Sequence, residues 1–174
     1  MTPRNTNGNS GKNPKDTAAA TTEDMPPADL YIDRMSASQA LAAMLANQAH
    51  AITALEAALP AIDAAADAAY QRLSTSDNGR LIYVGAGTSA RIGVQDGAEL
   101  PPTFNWPHHR IGFVIAGGEA ALLRAVENAE DNAETACAHI ADMGVAQNDV
   151  AIGLAASGST VFTTAALAAA GQTG

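Results

Sequence analysis

The chain has a single cysteine, Cys137, set in an alanine-rich stretch, so neither a disulfide framework nor a cysteine-built metal cluster can form within one copy. That shortage fits a reducing cytoplasm. Aromatic residues are also scarce, at 4%, although 47% of residues are apolar; much of that share is alanine, and the core must consist of small, closely packed side chains. Cations are outnumbered, with nine Lys and Arg against eighteen Asp and Glu, a formal charge of −9 and a pI near 4.6. Nucleic-acid binding needs clustered Lys and Arg to displace condensed counterions, so this balance argues against it, and against anionic membrane surfaces for the same reason. Long apolar runs are missing too. No segment reads as a bilayer span, and the N-terminal stretch lacks the apolar region of a secretory signal.

The 174 residues suit one domain with appendages. Residues 1–28, rich in Asn, Thr, Pro and Gly, offer almost nothing to bury and are expected to be disordered. Residues 29–78 read as helical. Ser36 followed by Gln39 is a capping-box signature, and Leu41, Met44, Leu45, Ile52, Leu55 and Leu59 recur at helical spacing. Pro60 interrupts the pattern, which Ile62, Ala66, Ala69, Tyr70 and Leu73 resume as far as Ser76-Asp77-Asn78-Gly79. The expectation is a helical hairpin, or one kinked helix, that covers a sheet face or forms a dimer seam.

From Gly79 the periodicity changes. Three short apolar runs, Leu81–Val84, Ile111–Ala116 and Val150–Ala155, each lead through a glycine-bearing loop into a helical pattern. The second pattern is long, running through Leu122, Leu123, Val126, Cys137, Ile140 and Met143 to a stop at Gly144; the third ends at Gly171. Repeated strand, loop and helix predict an α/β fold over residues 79–174, a doubly wound parallel sheet with right-handed crossovers and ligands at the carboxyl edge of the strands.

In an acidic chain, an anionic ligand must be met by local backbone amides and helix dipoles. Gly85-Ala86-Gly87-Thr88-Ser89 provides such a loop, with Gly87 giving the backbone room to turn and the Thr88 and Ser89 hydroxyls able to donate to phosphate oxygens. Alone it reads equally well as an ordinary tight turn with Ser89 as helix cap. Ser157-Gly158-Ser159-Thr160 repeats the arrangement after another strand, and two hydroxyl-bearing loops on one sheet edge favour phosphate binding. A dinucleotide fingerprint is weak here, since Ala90 stands third after Gly87, and no lysine follows either loop as a nucleoside-triphosphate site requires. His108 and His109 are adjacent, so in extended chain they face apart and cannot easily share a metal. Glu99 and Glu130, read by themselves, belong to solvated helix faces.

Taken together, GRLIYVGAGTSARIGVQDGAELPPTF, IAGGEAALLRAVENAEDNAE and DVAIGLAASGST resemble, in order and spacing, the N-acetylmuramic acid 6-phosphate etherases. These are sugar isomerase (SIS) fold proteins related to the glucokinase regulatory protein. The likeness runs from about Tyr31 to the C-terminus. It implies cytoplasmic cleavage of a D-lactyl ether during peptidoglycan recycling, giving N-acetylglucosamine 6-phosphate and D-lactate, by a homodimer with no metal or organic cofactor. By motif, Glu99 matches the acid that protonates the departing lactate oxygen, and Glu130 the base that removes the C2 proton. An acid at neutral pH needs its pKa raised from about 4.3 toward roughly 6–7, which burial beside Leu100, Pro101 and Pro102 would accomplish. The same resemblance assigns substrate phosphate to Gly87, Thr88, Ser89, Ser157, Gly158, Ser159 and Thr160. A non-catalytic sugar-phosphate sensor and an aldose-ketose isomerase are the alternatives.

The sequence departs from the family pattern at Ala90, where Gly is usual, at Gly97-Ala98, where Ala-Ser is usual, and at Ser159 and Val161, within the usual A-A-S-G-R-T-P. The family also continues into a G-P-E-x-x-T-G-S-x-R-x-K segment, so the chain is expected to be an N-terminal fragment with an incomplete SIS domain.

Overall fold

The computed structural model describes residues 31–173. The expected disorder of residues 1–28 lies outside them. Three strands, β1 (Leu81–Gly85), β2 (Ile111–Ile115) and β3 (Val150–Leu154), form a parallel sheet in the order β2-β1-β3. Val84 pairs with Val114 on one side and Gly153 on the other. The helices are α1 (Ala37–Ser74), α2 (Gly87–Phe104), α3 (Ala120–Leu123), α4 (Ala133–Met143) and α5 (Val161–Gly171).

Alternate side chains along the strands serve opposite faces. Ile82, Val84, Val114 and Ala116 pack with Ala136 and Ile140 of α4 and with Phe162 and Ala166 of α5. On the other face, Ile115 and Phe113 meet Ala90 and Val94 of α2 and Ala121 of α3. Helices on both faces explain why the strands read as unbroken apolar runs rather than alternating ones. Small residues let α2 lie close to the sheet: a Cβ on Gly97 would stand 2.7 Å from the Phe113 ring and 3.0 Å from that of Tyr83. The Tyr83 hydroxyl donates to Asp96 at 2.6 Å, tying α2 to β1; burial first, and then this bond to a carboxylate, push the phenol's pKa well up.

At the amino edge of the sheet, buried Asp149 accepts from the Arg80 amide (2.8 Å), the Ala146 amide (2.9 Å) and the Arg80 guanidinium (2.6 Å). The same guanidinium donates to the Met143 and Gly144 carbonyls and so finishes α4. Burial alone would raise the Asp149 pKa, but the hydrogen bonds from Arg80 and Ala146 outweigh it and hold the carboxyl below its ordinary value.

Three expectations are corrected. The helical hairpin is absent and the alternative of one helix holds: residues 37–74 run continuously through Pro60. Proline removes one amide donor, yet no Gly, Asn or Asp stands beside it to reverse the chain, and the flanking alanines carry the helix across. Nor does α1 cover a sheet face; it has no buried residue, and Leu41, Met44, Leu45, Ile52, Leu55 and Leu59 are exposed. Its C-terminal end is tethered by Arg110, which stacks on Trp106 and donates to the carbonyls of Leu73 (2.7 Å) and Gly79 (2.6 Å).

The long helix expected through residues 122–143 is likewise broken, into α3 and α4. Asn128 takes a left-handed conformation at φ 59°, Val126 packs over Gly117, and Asn132 starts a new helix by accepting the Thr135 amide at 2.9 Å. The break leaves Glu130 on a loop.

Candidate functional site

β1 and β3 run parallel, so their carboxyl ends, and the loops that follow, open on the same edge of the sheet. Gly87 begins α2 at φ +54° with open space where a side chain would be, and Gly158 turns the second loop at φ +70°. A side chain at either position would be strained. The N-cap of α2 is Ala86 rather than Ser89, so Thr88 and Ser89 lie within the first helical turn, where amides lack intrahelical partners. In the other loop, Ser157 Oγ accepts from the Ser159 amide (3.2 Å) and the Ser159 hydroxyl (3.0 Å), which fixes the turn into α5.

A cavity of about 450 Å³ joins the two loops and is lined by Gly87, Thr88, Ser89, Ser157, Ser159 and Thr160 together with two acids, Glu130 and Asp131. Two helix N-termini, those of α2 and α5, open into it, and their dipoles favour negative charge. The Phe162 amide near the start of α5 donates to the Glu130 carbonyl at 2.8 Å, so the loop between α3 and α4 is held against this helix end.

Glu99 is elsewhere. It lies twelve residues beyond Gly87 on α2, about 18 Å along the helix axis, toward the opposite edge of the sheet. It is exposed, so the expected burial against Leu100, Pro101 and Pro102 is absent, and it lines no cavity with Glu130. His108 and His109 occupy a short 3-10 turn before β2.

Sequence reasoning missed a second, smaller cavity of about 290 Å³, which shares Ala86, Gly87, Thr88 and Glu130 with the first and adds Arg91, Arg124 and Glu127. The three-residue step from Thr88 to Arg91, one helical turn, was the available signal. A larger space of about 540 Å³ lies between α1, β3 and α5, lined mainly by alanines; its one carboxylate, Asp149, is already held by Arg80.

A parallel sheet that presents two hydroxyl-bearing loops and two helix N-termini on one edge is an α/β domain with an edge suited to receive an anion. The chain belongs to the family described as the glucokinase regulatory protein N-terminal SIS domain, whose family model matches residues 64–171. Among curated relatives, it is 42% identical over 149 residues to an N-acetylmuramic acid 6-phosphate etherase of Psychromonas ingrahamii, covering 84% of this chain and 48% of that protein. The etherase of Rhodopirellula baltica is 44% identical over 148 residues, covering 82% of this chain and 46% of its own. That of Deinococcus radiodurans is 42% identical over 141 residues, covering 81% and 46%. The chain spans about half the length of the curated relatives it matches. No helix among the described residues is long and apolar enough to cross a membrane.

Proposed function

We propose that the chain binds N-acetylmuramic acid 6-phosphate and serves a cytoplasmic etherase that releases D-lactate and N-acetylglucosamine 6-phosphate during peptidoglycan recycling. One observation carries the reading: Glu130 borders the same cavity as both hydroxyl-bearing loops, so a carboxylate stands within reach of a sugar whose phosphate those loops hold. The names of the etherases to which the chain is similar support it. Residues 79–174 are then a partial SIS domain, and residues 29–78 a helical extension.

Phosphate is bound by the amides and hydroxyls of Gly87, Thr88, Ser89, Ser157, Gly158, Ser159 and Thr160, which supply donors without a fixed cation. Ring opening places a carbonyl at C1, which acidifies the C2 proton, and Glu130 takes that proton. The C3–O bond then breaks with its electron pair going to the lactate oxygen, which an acid protonates. Addition of water to the resulting enal gives the second product.

Glu99 supplies that acid from a second copy of the chain. Its place about 18 Å along α2 from Gly87 supports this reading, as does the exposed apolar stripe of α1, which offers a homodimer surface to bury. D-lactate release from N-acetylmuramic acid 6-phosphate, followed by enzymatic lactate detection, tests the assignment. Glu130→Gln and Glu99→Gln are each expected to lower the rate by at least about a hundredfold. Mixing the two variants in equal amounts is expected to restore about a quarter of the original activity, because half the dimers then carry one intact pair. Full activity in either variant alone overturns its role, and no recovery on mixing overturns supply across the dimer.

A further inference from the structure

We infer that the smaller cavity is a carboxylate subsite, in which the guanidiniums of Arg124 and Arg91 hold the carboxylate of a ligand whose phosphate lies in the hydroxyl-lined cavity. The inference rests on the sugar-phosphate reading for its second half alone.

Positive charge is rare in the described residues, which contain six arginines and no lysine. Arg80 is paired with Asp149, while Arg110 and Arg34 lie over the rings of Trp106 and Tyr31. That two of the remaining three line one small cavity is therefore notable in a chain of charge −9. Arg91 is half-buried, and its Nε and Nη2 donate to the Ala121 carbonyl at 3.1 and 2.9 Å, with a longer contact of 3.4 Å from Nη2 to the Arg124 carbonyl. Neutral carbonyls fix the fork without cancelling its charge, and among the described residues Nη1 has no partner. The Arg124 side chain makes no hydrogen bond or ion pair among these residues. Arg91 thus clamps the backbone that carries Arg124 and contributes a donor edge of its own.

Glu127 and Glu130 line the same space, yet neither is in ion-pair contact with either guanidinium. The cavity is close to neutral in sum but carries unfilled, oriented donors, and a planar carboxylate fits the guanidinium fork in bidentate fashion. The two cavities meet at Gly87, Thr88 and Glu130. A ligand spanning them would place its anionic ends on either side of Glu130, as an ether of a hydroxy acid with a sugar phosphate does.

The test uses the isotope-labelled full chain and three probes: D-lactate, which has a carboxylate and no phosphate; N-acetylglucosamine 6-phosphate, which has the reverse; and N-acetylmuramic acid 6-phosphate, which has both. D-lactate is expected to shift the amide resonances of Ala125 to Glu130, and the glucosamine phosphate those of the Thr88 and Ser157 loops. The muramic acid phosphate should bind about tenfold more tightly than the glucosamine phosphate, as one charge-assisted pair allows. Arg124→Gln should bring that ratio to about one while leaving glucosamine phosphate affinity unchanged; Arg91→Lys, which keeps the charge and loses the fork, should lower the ratio part of the way. Equal weakening of both sugars by Arg124→Gln, or no shift by D-lactate, overturns the subsite. If D-lactate shifts its region while the glucosamine phosphate shifts neither loop, the phosphate reading fails and the carboxylate site stands.

Discussion

The sheet unit and α1 are made from similar material and have opposite fates. Ile82, Val84, Ala136, Phe162 and Ala166 are fully enclosed, whereas α1, 38 residues long, encloses none and leaves Leu45 74% and Leu41 67% exposed. Both segments are alanine-rich and both show apolar periodicity. Periodicity states which face of an element can be buried; an opposing surface decides whether it is. In the sheet unit that surface comes from crossover connections, which lay α4 and α5 on one face and α2 on the other. Within one copy α1 touches the sheet unit near its own C-terminal end, beside β3 and at Arg110, and elsewhere it stands by helix propensity and its cap.

The largest expected effect breaks the comparison at its core. Phe162→Ala empties the centre of the cluster between β1, α4 and α5 and is expected to cost about 3–5 kcal/mol, read from urea unfolding. Leu45→Ala in α1 should stay within about 0.5 kcal/mol at low protein concentration. If Leu45→Ala becomes costly as concentration rises, the exposed stripe is being buried against a second copy.

Much of this architecture was legible in the sequence, for identifiable reasons. The strands were visible because Leu81–Val84, buried on both faces, and Val150–Ala155, at the more exposed edge of the sheet, are apolar throughout, and the two loops because glycine most readily takes the positive φ of Gly87 and Gly158. The break between α3 and α4 was hidden, since Leu122, Leu123 and Val126 keep helical spacing while Arg124 in extended conformation ends α3 and Asn128 in left-handed conformation turns the loop beyond it. Continuity through Pro60 was ambiguous, because a proline reports a missing donor and not a reversal of the chain. The site was half legible. The motif put Glu99 and Glu130 in one list, but a helix of known rise separates Glu99 from Gly87, and Arg91 and Arg124 converge through a loop whose path local spacing does not reveal.

A smaller effect comes from the Arg80–Asp149 ion pair of the sheet unit. Asp149→Asn should cost about 2 kcal/mol at neutral pH, tempered because the Arg80 side chain is partly in water. Because folding lowers the Asp149 pKa, its contribution is fully present above the unfolded carboxyl's value, about 4, and is lost as pH falls through the folded value. Stability of the parent should therefore decline below about pH 4 more steeply than that of Asp149→Asn, as followed by fluorescence of Trp106. Parallel acid curves for the two proteins would remove the pair from the account.

The smallest effect sharpens the comparison from the side of α1. Ser36 Oγ accepts the Gln39 amide at 3.3 Å while Gln39 Oε1 accepts the Ser36 amide at 3.0 Å, so two of the helix's orphan donors are satisfied by residues three apart. Ser36→Ala removes one and loosens the other, for about 1 kcal/mol of helix stability. Because the first turns of α1 hold no buried residue, that loss should appear as faster hydrogen exchange of the amides of residues 39–43, with the unfolding midpoint of the sheet unit unchanged. A drop in both would mean that the far end of α1 is coupled to the sheet. The exposed apolar stripe is a surface able to couple it, so the same measurement at rising concentration separates an isolated helix from one that a second copy holds.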